Sequence, residues 1–460
     1  MRQSIFSLLL VLPLLFPNAG QAAPPNILLL LTDDQRFDAV GALGHPVLKT
    51  PSMDSLVRSG LVFRNAYTLG ANVGAVCTPS RNMLQCGKAY FRYEGIHAKP
   101  DGRTMPEILN GAGYETYYFG KKGNTAPLIE AKFEHSRSLA NNDLEHVGGE
   151  PGKYIVDAAI AFLKSRNSGR PLFMQLAWPN PHDPRTAAEK YMAMYDREKI
   201  PLPQNYMPQH PFDNGEMAVR DERLAPWPRT ESEIRRHLHE YYATITGLDF
   251  HIGRLLEVVR EIGMAENTII VFASDNGLSV GSHGLMGKQN VYEPGLKVPL
   301  IFSGPGIRKG ETAALAYLLD LFPTFCDLAG VRPPEGLDGT SLRPVIAGTT
   351  DRVRDTLFLS YKNVQRSLRD DRWKVIRYPV INRTQLFDLA SDPFEMRDLA
   401  TDAAQSDRIA RMMAAMRAWQ ARLGDPDPLE VAEPKPGAWT PPGPEEPKPA
   451  PSKKRGRRGA

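Results

Sequence analysis

The feature that most restricts this chain is an unbroken apolar run at residues 26–31 that ends directly in Thr32-Asp33-Asp34. A strand with one wet face alternates apolar and polar residues, whereas a run without alternation belongs to a strand covered on both faces, as in a parallel sheet. Similar runs recur at residues 116–119, 172–177, 268–273 and 298–303. Helical patterns at residues 105–112, 154–164 and 231–262 lie between them. Strands alternating with helices define an α/β fold with a large, mostly parallel central sheet flanked by helices.

The last third changes character. Residues 357–361, 372–378 and 385–388 read as short antiparallel strands, and a helix is expected over about 403–423. This predicts a smaller C-terminal α+β subdomain. The expected boundaries are 1–22 for an export signal, 23–345 for the catalytic domain, 346–430 for the subdomain and 431–460 for a disordered Pro/Lys/Arg-rich tail. A Pro-rich stretch at 200–228 is too long for a simple connection and is expected to form a loop excursion beside the active site.

The N-terminus has the parts of a signal peptide: Arg2, a short apolar run at residues 5–16, and Gly20-Gln21-Ala22 as a small-residue cleavage site. The expectation is export through the Sec pathway to the periplasm or the extracellular space, with no transmembrane segment. The formal charge of +4 owes much to Lys453, Lys454, Arg455, Arg457 and Arg458 in the final ten residues. The rest is close to neutral, so no nucleic-acid partner is implied. That tail reads as a solvated end or as a contact for a polyanion. Of the three cysteines, Cys86 and Cys326 lie among apolar residues, and the sequence leaves their pairing open.

Ligands of parallel α/β sheets bind beyond the carboxyl ends of the strands. Asp33 and Asp34 follow the first run, Lys121 the run at 116–119, His182 the run at 172–177, and Asp275-Asn276 the run at 268–273. Alone, an Asp-Asp pair after a strand is commonly a turn or a helix cap. Together with Asp275 and Asn276 it offers three carboxylates and an amide oxygen, a set suited to a hard divalent cation, Ca²⁺ or Mg²⁺. Zinc spacing of His and Cys is absent from the sequence.

The segment Cys77-Thr78-Pro79-Ser80-Arg81 resembles the signature Cys-x-Pro-Ser-Arg of the type I, formylglycine-dependent sulfatases, an alkaline-phosphatase-like family. The resemblance extends through the mature chain. It includes residues 26–34, then Ser274-Asp275-Asn276-Gly277, Gly287-Lys288-Gln289-Asn290 and Val298-Pro299-Leu300, and finally Leu386-Phe387-Asp388-Leu389 with Asp392-Pro393 and Glu395. It implies that a formylglycine-generating maturation enzyme oxidises Cys77 to 3-oxoalanine, which hydrates to a geminal diol. One hydroxyl then attacks sulfur and the other expels sulfate by collapse, so that one difficult displacement becomes two easier steps. The resemblance further implies Ca²⁺ in preference to Mg²⁺, held by Asp33, Asp34, Asp275, Asn276 and position 77. Arg81 is implied to hold the hydroxyls. Lys121 and Lys288 would bind the sulfate oxygens, and His182 would protonate the leaving alkoxide. The helix expected from about Ser80 adds a favourable dipole for an anion.

Two departures stand out. Gly120-Lys121-Lys122-Gly123-Asn124 stands where the family has Gly-Lys-Trp-His, so the family histidine is missing at Gly123, with His283, Lys122 and Asn124 as candidate replacements. Gln85-Cys86-Gly87 replaces Leu-Thr-Gly, which bears on packing or maturation. The expected substrate is a sulfated carbohydrate, with Arg366, Arg369, His210 and His283 as candidates for an outer subsite. The competing readings are a phosphonate or phosphate ester hydrolase of the same fold and a non-catalytic binder of sulfated glycans.

Overall fold

The computed structural model describes residues 24–93, 102–140 and 149–442. The expected export signal and the basic end of the tail lie outside the described residues.

Among the described residues nine strands form the main sheet: β1 (Asn26–Asp33), β2 (Leu61–Tyr67), β4 (Glu115–Lys121), β5 (His135–Leu139), β6 (Leu172–Pro181), β7 (Thr268–Ser274), β8 (Lys297–Val298), β9 (Leu300–Ser303) and β10 (Gly310–Tyr317). Their order is β10-β2-β9-β7-β1-β6-β4-β5, with β8 on β2. β1 lies at the centre, parallel to both β6 and β7. Its apolar run is unbroken because successive residues feed two different cores: Leu28 and Leu30 join one, Ile27, Leu29 and Leu31 the other. Each leucine so buried contributes about 2 kcal/mol. The long helix Glu231–Glu261 and the helix Lys153–Ser165 supply Leu248, Ile252, Ile155 and Val156 to the first core. The helices Met105–Gly111 and Leu321–Leu328 supply Leu109 and Phe325 to the second.

One expected strand is corrected. The run at 298–303 is split around Pro299, which lacks the N–H needed for a ladder. Its halves β8 and β9 pair antiparallel with β2, and β9 also with β7. β2, β5 and β10 were not foreseen.

The second sheet has the order β14-β13-β12-β11-β3, from β11 (Leu357–Tyr361), β12 (Gln365–Arg369), β13 (Trp373–Tyr378), β14 (Arg383–Asp388) and β3 (Gly70–Ala71). Of its four antiparallel strands, β11, β13 and β14 match expected runs and β12 was not expected. The edge strand β3 comes from the N-terminal half, six residues before Cys77, and pairs parallel with β11. A third core joins this sheet and the helix Ser406–Leu423 to Val76 and Met83, which flank Cys77. The small sheet therefore buttresses the segment that carries the signature.

The tail is not detached where it is described. Val431 N donates to Asn382 Oδ1 at 3.0 Å and Lys435 N to Val380 O at 2.9 Å. The Trp439 ring meets Trp227 edge-on, with centroids 5.4 Å apart. The expected disorder is thus corrected for residues 431–442, because tryptophan gives this otherwise polar segment an apolar anchor.

Candidate active site

The carboxyl ends of the central strands gather the site. Asp33 closes β1, and Asp34 follows it in a left-handed conformation, φ +68°, which aspartate tolerates better than most residues. Tyr241 of the long helix fixes this turn by donating to Asp34 O at 2.7 Å and accepting from Arg36 N at 2.9 Å. Asp275 and Asn276 follow β7, and Asp34 N donates to Asp275 Oδ1 at 3.3 Å. Gly277 is needed there because a Cβ would stand 2.1 Å from Pro294 O.

Cys77 begins the helix Cys77–Cys86, which is buried along its whole length. The helix starts three residues earlier than the sequence suggested, so position 77 sits in its first turn, where the helix dipole favours an anion. Ser80 Oγ donates to Asp275 O at 2.6 Å and ties the helix to the β7 end. Gln85 Nε2 donates to Gln175 Oε1 of β6 at 2.6 Å, both residues fully buried, so the changed end of the signature is matched by a partner in the sheet. All three cysteines are buried and free.

Three cationic side chains meet the carboxylates. Arg81 Nε lies 2.7 Å from Asp275 Oδ2 and its Nη2 lies 3.4 Å from Asp33 Oδ2. Lys121 Nζ is 3.0 Å from Asp33 Oδ2, and Lys288 Nζ is 2.6 Å from Asp34 Oδ1. Asn124 Nδ2 donates to Asp33 Oδ2 at 2.8 Å and Asn276 Nδ2 to Asp34 Oδ1 at 2.8 Å. His182 Nε2 faces Asp34 Oδ2 at 3.9 Å, while its Nδ1 lies 2.6 Å from Asp183 O. That contact assigns the Nδ1 proton to the carbonyl and turns Nε2 toward the cluster.

Burial would raise Asp33, but Lys121, His182, Arg81 and Lys288 together hold it well below the usual carboxylate range. Burial and then the Asp33 charge push Asp275 up to about 7, against the pull of Arg81. Burial pushes the Cys77 thiol up to about 11, partly countered by Lys288.

The donor set fits a hard cation. Carboxylate oxygens of Asp33 and Asp275 and the Cys77 sulfur lie within 4.8 Å of one another, as do the ligand atoms of Asp33, Asp34 and His182. Asp33 Oδ1 and Asn276 Oδ1 are buried without a hydrogen-bond donor among the described residues. Unpaired buried acceptors cost about 1–3 kcal/mol each unless something else satisfies them. Crowded carboxylates with orphaned oxygens are what a divalent cation relieves.

Every sequence-predicted member of the cluster comes together: Asp33, Asp34, Cys77, Arg81, Lys121, His182, Asp275, Asn276 and Lys288. The outer candidates do not. Arg366 is fully buried and bonded to Asp425 and Asp427, at 2.7 Å each. Arg369 is buried against Tyr67 and Glu293. These two are therefore structural ion pairs, not an outer subsite. His210 is buried, with Nδ1 2.7 Å from Phe212 O. His283 stacks on Tyr292 with centroids 4.0 Å apart and contacts Asn205 at 3.0 Å. Both histidines are engaged away from the carboxylate cluster, whereas Asn124 bonds Asp33. At Gly123, φ is +82° and a Cβ would meet nothing within 4 Å, so the place of the family histidine is open space.

An acidic cluster at the strand ends of an α/β sheet, with lysines, arginine and a helix N-terminus turned toward one point, suits chemistry on an anionic ester. Comparison with known proteins gives the class. The sulfatase family model matches residues 25–331, and a model of the N-sulphoglucosamine sulphohydrolase C-terminal region matches residues 281–422. The chain belongs to the sulfatase family, whose fold is alkaline-phosphatase-like, and it is an enzyme of that family. It is 27% identical to an N-acetylglucosamine-6-O-sulfatase of Bacteroides thetaiotaomicron, covering 90% of this chain and 89% of the relative. It is 26% identical to an arylsulfatase of Clostridium perfringens, over 84% of this chain and 92% of that one. Among solved structures, one in complex with its substrate D-glucosamine-2-N,6-O-disulfate superposes with a TM-score of 0.75 at 24% identity, covering 88% of this chain and 99% of the other. A phosphonate monoester hydrolase of Agrobacterium radiobacter shares the fold at a TM-score of 0.70 and 21% identity, over 86% and 96%. Among the described residues no helix is long and apolar enough to cross a membrane.

Proposed function

We propose that this enzyme removes sulfate from a sulfated carbohydrate, with Cys77 matured to formylglycine and Ca²⁺ bound by Asp33, Asp34, Asp275 and Asn276. The observation that carries the reading is the meeting of the Cys77 sulfur with the Asp33 and Asp275 carboxylates within 4.8 Å, at the start of a buried helix. When present, the two groups would supply a geminal diol as nucleophile and a Lewis acid for the sulfate oxygens. The chain's own residues account for the rest. Arg81, fixed by Asp275 and by Trp178 O at 3.2 Å, orients the nucleophile. Lys121 and Lys288 neutralise sulfate oxygens as charge develops. His182, its Nδ1 committed to Asp183 O, presents Nε2 to the leaving oxygen.

Charge supports a sulfate monoester. In fully ionised form three carboxylates face three cationic side chains, so the set is neutral by itself. A divalent cation adds two positive charges, which a singly charged sulfate ester and one ionised hydroxyl cancel. The names of the relatives make sulfated hexosamines the first substrates to try. The accompanying proposals are Sec export to the periplasm or the extracellular space, a formylglycine-generating enzyme as maturation partner, and domain limits of 23–345 and 346–430.

The test combines the mass of the Cys77 peptide from the native host with rates on matched aryl sulfate, phosphate and phosphonate esters. Conversion of the thiol and preference for the sulfate are expected. An unconverted thiol, or preference for phosphonate, would overturn the reading. With mature enzyme, His182→Ala is expected to lower turnover of a sugar sulfate about 10²–10⁴-fold and of 4-nitrophenyl sulfate far less. Equal losses on both esters would exclude His182 as the acid.

A further inference from the structure

The excursion at 200–228 contains a short 3-10 turn, Arg220–Leu224, whose first three residues reach three arms of the site. Arg220 Nη1 donates to Asp183 Oδ1 at 2.7 Å, and its Nη2 bonds the other carboxylate oxygen. This is a two-pronged grip on the residue that follows His182. The same Nη1 donates to Asp221 Oδ1 at 3.0 Å. Asp221 Oδ2 accepts from Gln289 Nε2 at 2.7 Å, and that amide also donates to Gly74 O at 2.8 Å, three residues before Cys77. Glu222 accepts from Met286 N at 2.9 Å and Gly287 N at 2.8 Å, just ahead of Lys288. Arg229 pins Glu222 in turn at 2.8 Å. The packing is close: a Cβ on Gly287 would stand 2.2 Å from Gln289 Oε1 and 2.9 Å from the Asp221 Cβ.

We propose that Arg220 and Asp221 are positioning residues that lock the His182, Lys288 and position-77 segments into one catalytic geometry, an inference that rests on the roles given above to His182 and Lys288. The sheet fixes only the strand ends. His182 lies beyond the end of β6 and Lys288 fourteen residues beyond the end of β7, so their relative placement must come from contacts between loops. The imidazole is bonded to Asp183 O, and whatever displaces Asp183 therefore turns the ring. Displacements of about 1 Å can cost 10²-fold in rate. Arg220 is suited to probing because its side chain is 57% exposed, so its removal leaves the cores intact.

The test uses mature enzyme with 4-nitrophenyl sulfate and N-acetylglucosamine 6-sulfate. Arg220→Ala is expected to lower kcat on the sugar sulfate by about 10–100-fold, with little change in KM and a smaller loss on the activated ester. Arg220→Lys should recover only part, since lysine keeps the charge but not the fork. In a His182→Ala background Arg220→Ala should cost clearly less than in the wild type, because the part of its effect that runs through that ring is already lost. Equal losses on both esters, or full additivity in the double variant, would overturn the proposal. Amide hydrogen exchange supplies a readout independent of turnover. Faster exchange at residues 182–185 and 286–289 in Arg220→Ala is expected, and unchanged exchange overturns the clamp whatever the activity. Mature wild-type enzyme that releases sulfate from neither ester would instead sink the sulfatase reading, with the exchange result still deciding the clamp.

Discussion

Cys77→Ala is expected to abolish turnover, lowering kcat on any sulfate ester by about 10⁶-fold, the size of loss found when a covalent nucleophile is deleted. Position 77 opens a helix that is buried throughout, and alanine fits where cysteine does, so folding should survive and the loss should be chemical. Cys77→Ser gives the sharper result. A serine hydroxyl can attack sulfur but leaves a sulfate ester with no second hydroxyl to expel it. With the serine verified intact by mass, rapid mixing should show at most one equivalent of alcohol released per site, then silence. Sustained turnover by either variant would mean that position 77 is not the nucleophile.

The sequence made the centre of this site readable because its elements follow rules with few exceptions. A strand buried on both faces is apolar throughout, and its carboxyl end is where ligands collect. Asp33 and Asp275 could therefore be paired across 242 positions without a structure. The edges obeyed weaker rules. β12 reads Gln-Arg-Ser-Leu-Arg and looks like surface, yet all five residues are buried. The partners that make this possible for Arg366, Asp425 and Asp427, lie about sixty residues away and leave no local trace. β10 exposes Gly310, Glu311 and Ala313, and its apolar run is mostly alanine, a residue that gives little strand signal. The turn at 220–222 escaped for the same reason as β12. Arg-Asp-Glu in a Pro-rich stretch has the composition of a solvated loop, and only the fold reveals that Asp221 and Glu222 are buried against the Lys288 segment. Trp439 was the one local signal against a detached tail, because a large aromatic ring in a polar segment needs a place to bury.

Exhaustive chelation is expected to stop hydrolysis while leaving the chain folded. The argument turns on how the carboxylates are balanced. Without a divalent ion, Arg81, Lys121 and Lys288 still contact Asp275, Asp33 and Asp34, and Asp275, pushed up to about 7, takes up a proton near neutrality. The cluster is therefore tolerable empty. What it loses is satisfaction of Asp33 Oδ1 and Asn276 Oδ1, together with the charge that opposes the ester in the transition state. Charge stabilisation of several kcal/mol by a bound metal corresponds to about 10²–10⁴-fold in rate. Ligand linkage adds about 2.7 kcal/mol of stability when the free ion stands at a hundred times its Kd, so the thermal midpoint should fall on chelation and recover on titration with Ca²⁺. Ca²⁺ should restore activity better than Mg²⁺ at equal concentration. Three carboxylates, an amide oxygen and the groups at position 77 crowd around one point, which suits a large ion of variable coordination better than a strict octahedron that keeps its waters. Full activity in enzyme shown by elemental analysis to hold no divalent ion would remove the cation from the reading and leave the lysines and Arg81 to bind sulfate alone.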